Sequence, residues 1–167
     1  MRWIKKGWIA LFGISLLLMS ACSKTNFQEV EVSMQEVETM FENKESFQLL
    51  VERDNCPFCE SLNQYIEDTK QGHALTVYKL DTTDFEFSKR KQEDEVLQSS
   101  TEEGQKFLEK FPYFLYTPTI YTIQDGVVRS AAIGFNEENK TMSEWNVDSS
   151  IDWDKADEVD VWKYLER

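Results

Sequence analysis

Phe47-Gln48-Leu49-Leu50-Val51 runs through Glu52-Arg53-Asp54-Asn55 into Cys56-Pro57-Phe58-Cys59. The first five residues are dense in apolar side chains and read as a buried strand. Pro57 to Thr69 reads as a helix, and Pro57 suits its first position because it has no N–H to lose. This arrangement brings two thiols, three residues apart, to the start of a helix. There the first cysteine meets backbone N–H groups without partners and the positive end of the helix dipole, both of which favour thiolate over thiol. The second cysteine, one turn further in, can attack a mixed disulfide made by the first. That is the minimum equipment for thiol–disulfide exchange.

Upstream, Ser33 with Glu36 three residues on forms a capping-box pattern, and Met34, Val37, Met40 and Phe41 repeat at helical spacing. Downstream, the Pro57–Thr69 helix turns Leu62, Tyr65 and Ile66 inward. Leu75 to Leu80 is a strand stopped by Asp81-Thr82-Thr83-Asp84. Phe85 to Ser100 is charged and weakly periodic, and reads as an extra helix or a surface insertion. Ser100-Thr101-Glu102-Glu103 carries a second capping box, opening a helix that buries Phe107, Leu108 and Phe111 before Pro112. Thr119–Ile123 and Val127–Ile133 are strands joined by Gln124-Asp125-Gly126, a strong hairpin signal. Phe135 to Ile151 reads as an acidic loop, and Asp157 to Arg167 as a closing helix with Val159, Trp162 and Leu165 inward.

The N-terminus reads as a targeting segment. Arg2, Lys5 and Lys6 precede an apolar run, Trp8 to Met19, too short to span a bilayer comfortably. Met19-Ser20-Ala21-Cys22 resembles a bacterial lipobox, with Met19 where Leu is usual. The expected division is a signal peptide over 1–21, a lipidated Cys22 with a polar tether to 32, and a domain over 33–167. All 31 acidic residues lie beyond residue 21 and three of the 18 basic ones precede it, leaving 15 basic against 31 acidic residues and a net charge of −16. Such a chain repels nucleic-acid phosphates, so no nucleic-acid partner is expected. It carries no polybasic patch either, so membrane attachment is expected through lipid on Cys22. With Cys22 committed, Cys56 and Cys59 are the only cysteines left, which excludes a structural disulfide framework. His73 cannot complete a four-ligand zinc site with them, so no metal is expected. His73 sits in the Gln71-Gly72-His73 turn and is assigned no catalytic role.

The order helix, strand, Cys-Pro-Phe-Cys helix, strand, helix, hairpin, helix is similar to that of thioredoxins. Thr117-Pro118-Thr119 resembles the family's cis-proline loop, and Gly126 and Gly134, eight and sixteen residues after Pro118, resemble its hairpin glycines. The likeness runs from about Ser33 to Gly134. Lipid-anchored thioredoxin-like proteins of Gram-positive bacteria, including bacteriocin transport accessory proteins, look like the nearest group. The resemblance implies a thioredoxin-like three-layer α/β/α sandwich. Its central mixed sheet would have about four to five strands, with a helical or loop insertion before the cis-proline loop. It further implies Cys56 as exposed nucleophile, Cys59 as buried resolving thiol, and Pro118 facing them. The backbone of Thr117 would pair with substrate. No bound cofactor is implied, only the redox-active Cys56–Cys59 pair. Partners would be secreted protein or peptide thiols and disulfides and a membrane or extracellular dithiol protein, at the outer face of the cell membrane.

Phe58 either rims the site for unfolded substrate or serves packing. Where thioredoxins place a buried Asp, this chain has Leu50. Glu52 is the nearby candidate for a proton relay, or else a solvated strand-end charge. Glu52, Asp54 and Glu60 flank the thiols against Arg53 alone and oppose the helix effect. The direction of redox chemistry therefore stays open. A non-catalytic module that holds an extended peptide is the alternative reading. With Cys56 out of reach of solvent, or Pro118 far from it, the redox reading collapses.

Overall fold

The structure, a computed structural model, describes residues 26–88, 97–149 and 151–167. The signal segment, Cys22 and the middle of the Phe85–Ser100 insertion lie outside these residues.

The elements are β1 (Gln28–Glu31), α1 (Met34–Glu42), β2 (Phe47–Glu52), α2 (Pro57–Thr69), β3 (Thr76–Asp81), α3 (Glu102–Lys110), β4 (Thr119–Gln124), β5 (Val127–Asn136), β6 (Thr141–Trp145), β7 (Asp157–Asp160) and α4 (Val161–Leu165). They build one sheet in the order β1-β3-β2-β4-β5-β6-β7. β3 runs parallel to β1 and β2, and every pairing from β2–β4 onward is antiparallel. Among the described residues no helix is long and apolar enough to cross a membrane.

β2 lies inside the sheet between β3 and β4, and the period of two along it feeds two cores. Phe47, Leu49 and Val51 pack with Met34, Val37 and Met40 of α1 and Phe107 of α3. Leu50 packs on the opposite face with Leu62 and Ile66 of α2 and with Val161, Trp162 and Leu165. Both faces of β2 are therefore covered, which is why Leu49-Leu50-Val51 is apolar without alternation, and the polar Gln48 is buried with a partner, accepting from Thr122 Oγ1 at 2.9 Å. This is the expected thioredoxin-like α/β/α sandwich.

The sheet is wider than expected, with seven strands. The extra strands come from segments that read as polar. β1, within the expected tether, is an edge strand exposed at every position, so no buried face marks it. β6 lies within the expected acidic loop and buries Met142 and Trp145. β7 takes the first four residues of the expected C-terminal helix, which starts only at Val161 with Asp160 as its cap. A strand whose pattern is mostly Asp and Glu around one buried Val159 has little apolar signal of its own.

Capping follows the sequence at α1, where Ser33 and Glu36 form the reciprocal box. At α3 the cap is Thr101, not Ser100. The Gly104 N–H donates to Thr101 Oγ1 at 3.1 Å, while Ser100 bonds Glu86. The described ends of the insertion are built into the fold. Phe85 is buried, Phe87 packs against the rings of Phe107 and Phe114, and Phe87 bridges to Ser99. The hairpin forms as read, with Asp125 and Gly126 both at positive φ.

Candidate active site

β2 and β3 end together. Thr82 donates both its N–H and its hydroxyl to the Glu52 carbonyl, each at 2.9 Å. The chain then turns through Asn55 at φ 54° and delivers Cys56 as the cap of α2. Asn is among the side chains that tolerate this left-handed backbone. A cap position usually presents an oxygen to the N–H groups of the first turn. Here it presents sulfur: the Cys59 N–H donates to Cys56 Sγ at 3.2 Å. A thiolate accepts such a bond better than a thiol, so the cap itself favours the charged form. Cys56 and Cys59 are joined as a disulfide, with Cα atoms 5.2 Å apart.

Across from them, the Thr117–Pro118 bond is cis, as the resemblance implied, and Pro118 is buried. Its carbonyl accepts from the N–H of Gly134, which sits at φ 69° where β5 departs from regular pairing. Thr117 Oγ1 donates to Cys56 Sγ at 3.4 Å, and the Thr117 carbonyl lies 3.6 Å from the same sulfur. The loop and the dicysteine, 61 residues apart in sequence, are therefore in contact.

One expectation fails. Cys56 is only 4% exposed, close to the 3% of Cys59, rather than an open nucleophile. It is bonded to Cys59 and in contact with Thr117. Access is through a cleft of about 1500 Å³ whose wall includes Cys56, Pro57, Phe58, Tyr116, Thr117 and Trp153. Phe58 is 56% exposed on that wall, so it is not packed in the core.

Glu52 is not a solvated strand-end charge. Its carboxylate pairs with Lys79 Nζ at 2.9 Å and accepts from Asn63 Nδ2 at 2.7 Å. Leu50 stands in register with Lys79. Burial works against the Lys79 ammonium. The hydrogen bond and charge of Glu52, with Glu29 and Glu31 behind it, outweigh that, and its pKa is raised. Asn63 lies one turn beyond Cys59 on α2, so the polar cluster sits beside the resolving thiol's face of the helix. Of the three carboxylates that flank the thiols in sequence, Glu52 is thus tied to a cation. Asp54 and Glu60 remain exposed to solvent, where screening weakens them.

Sequence reasoning missed Lys79, Asn63, Tyr116 and Trp153. Lys79 had a readable signal, being the sole charge within the Leu75–Leu80 strand. The others had none, because their places depend on which loops meet. His73, outside the site, stacks on Trp162 at 3.7 Å and pairs with Glu166. Among the described residues no group of three or more His, Cys, Asp or Glu side chains is placed to hold a metal ion.

No family model and no curated protein sequence matches the chain. Among solved structures it is similar to the short form of thioredoxin f from spinach chloroplast, at 11% identity over 69% of this chain and 88% of that one, with a TM-score of 0.45. It is similar also to reduced thioredoxin pre-protein of Schistosoma mansoni (10% identity, 68% and 90% covered, TM-score 0.42) and to the thioredoxin of Malassezia sympodialis (14%, 68% and 86%, 0.41). The thioredoxin-like fold is assigned from the strand order and directions and from the cis-proline loop set against the dicysteine.

Proposed function

We propose that the chain is a thiol–disulfide oxidoreductase, lipid-anchored through Cys22 at the outer face of the cell membrane and acting on secreted proteins or peptides. The observation that carries the chemistry is the Cys56 sulfur. It caps α2, touches Thr117 and opens on a peptide-sized cleft. The location rests on the N-terminal sequence alone.

In the reducing direction, the Cys56 thiolate attacks one sulfur of a substrate disulfide. The Cys56–substrate S–S bond forms, the substrate S–S bond breaks, and the leaving sulfur departs as thiolate and is protonated by solvent. Cys59 then attacks the Cys56 sulfur, and Glu52, held by Lys79 and Asn63, acts as the relay that passes the Cys59 proton on to solvent. The second substrate sulfur leaves as thiolate and is protonated in turn. Two electrons pass to the substrate and the protein is left with the Cys56–Cys59 disulfide. A dithiol protein reduces it again; run backward, the same steps oxidise a substrate dithiol. Thr117 offers its backbone to the bound strand by β-addition, and Pro118 and Phe58 shape the approach.

The test is turnover by the purified full-length chain, as insulin reduction with a dithiol donor and as oxidation of a reduced dithiol peptide. Turnover in one direction is expected, and none in either by folded protein would defeat the reading.

The size of the cleft also favours a second reading, an accessory module that holds an extended peptide, for example in bacteriocin export, without redox chemistry. In that case a variant with both Cys56→Ser and Cys59→Ser keeps its cellular function, whereas the oxidoreductase reading predicts that it is lost.

A further inference from the structure

The cleft is larger than a dithiol pair requires. Its volume of about 1500 Å³ exceeds the roughly 300–1,000 Å³ of small-molecule pockets, which fits a polypeptide segment. Two kinds of side chain distinguish its lining. Phe58, Tyr116 and Trp153 present large rings at 56%, 53% and 49% exposure, with Tyr116 and Trp153 centroids 6.3 Å apart. Such rings bury large apolar areas at small entropic cost and anchor peptide contacts. The second kind is acidic. Glu137 and Glu138 follow β5 and Glu158 lies on β7, in the part of the sheet that exceeds the expected width. Arg53 is the only basic residue among the described residues of the lining.

The position of Glu137 sets a register. Ser61 Oγ donates to it at 2.6 Å, and Ser61 follows Cys56 by five residues on α2. Five residues of helix rise roughly 7–8 Å, the reach of two or three residues of extended peptide. Glu158 accepts from Thr141 Oγ1 at 3.4 Å, which ties β7 to β6 at the same end of the cleft. The whole chain is acidic as well, at −13, so its long-range field has the same sign.

We propose that the cleft selects polypeptides whose reactive cysteine has apolar or aromatic neighbours and a Lys or Arg two or three residues away. The rings take the apolar neighbours, and the carboxylates carried by the β5–β7 extension take the cation. The part played by the cysteine rests on the oxidoreductase reading; the preference for basic and apolar flanks does not.

The test uses the full-length chain and three peptides, each with one cysteine. The first has Leu-Phe beside the cysteine and two Lys at the stated spacing, the second replaces Lys by Glu, and the third replaces Leu-Phe by Ser-Gly. Dissociation constants are measured by fluorescence anisotropy with Ser in place of Cys. Rates are measured with the cysteine as a mixed disulfide to 2-mercaptoethanol, reacting with the reduced chain. The first peptide is expected to bind and react about tenfold better than the second and about fivefold better than the third. At about 0.5 M salt the advantage over the Glu peptide falls below about threefold. Glu137→Gln with Glu138→Gln and Glu158→Gln does the same at low salt, and Trp153→Ala shrinks the advantage over the Ser-Gly peptide. Equal dissociation constants for the three peptides would overturn the proposal. Failure of the Cys56–Cys59 dithiol to reduce bis(2-hydroxyethyl) disulfide would instead defeat the redox reading and leave the binding comparison standing.

Discussion

Thr117 Oγ1 donates to the Cys56 sulfur at 3.4 Å, across the gap between the cis-proline loop and the tip of α2. Three groups bear on that sulfur. These are contacts of the disulfide sulfur; once it is reduced, the hydroxyl and the Cys59 N–H, now at 3.2 Å, favour a thiolate, while the Thr117 carbonyl, now at 3.6 Å, favours a thiol. The two donors are the closer and the charge-assisted ones. Thr117→Val removes one of them. A hydrogen bond donated to a thiolate favours the charged form, so its loss is expected to move alkylation of Cys56 to higher pH. The pH profile of alkylation, followed on the peptide that bears Cys56 in a Cys59→Ser background, checks this. An unchanged profile would remove the Thr117 hydroxyl from the influences on the thiolate.

Lys79 and Glu52 form a largely buried pair at 2.9 Å, each side chain still reached by some solvent. Lys79→Met leaves the carboxylate with Asn63 alone and is expected to cost about 1–3 kcal/mol, below the figure for a fully buried pair because solvent reaches this one. The Lys79 pKa is raised above its ordinary 10.5, so the pair's contribution is complete below that value and is lost as pH climbs through the raised folded-state value. Denaturation of both proteins across pH should therefore give a constant difference at neutral pH that narrows only in strong alkali. A difference that narrows toward acid instead, before any carboxylate protonates, would reverse the assignment.

Gly104 seats α3 on the ends of the insertion. A methyl group there would meet the Phe85 carbonyl oxygen at 2.6 Å, and Ser99 lies against the same spot. The carbonyl is backbone and is held by the Ser99 hydroxyl, so it cannot yield cheaply. Gly104→Ala is expected to destabilise by about 1–3 kcal/mol despite its better helix propensity. Chemical denaturation reads this directly, and a gain in stability would mean that Ser99 and Phe85 move aside.

These cases show what the sequence carries. The capping box at Ser33, the strand before the dicysteine, the Asp125-Gly126 turn and the Thr117–Pro118 loop were legible because each depends on neighbours within a few residues. The three added strands were not. β1 has no buried face, β7 has one buried residue, and β6 gains its place by pairing with both β5 and β7. The site divided in the same way. Cys56, Cys59, Phe58, Thr117 and Pro118 converge as read, but the near-closure of Cys56 and the coupling of Glu52 to Lys79 arise from contacts across 61 and 27 residues of chain.

The central claim is that Cys56 is the sulfur a substrate meets and Cys59 the one that releases it. It is tested most directly by mixing the reduced Cys59→Ser chain with a disulfide-bonded peptide and mapping the adduct by mass spectrometry. The account predicts a persistent mixed disulfide on Cys56, absent when Cys56→Ser is added. A folded chain that forms no adduct there, or forms it equally well without Cys56, would contradict the account.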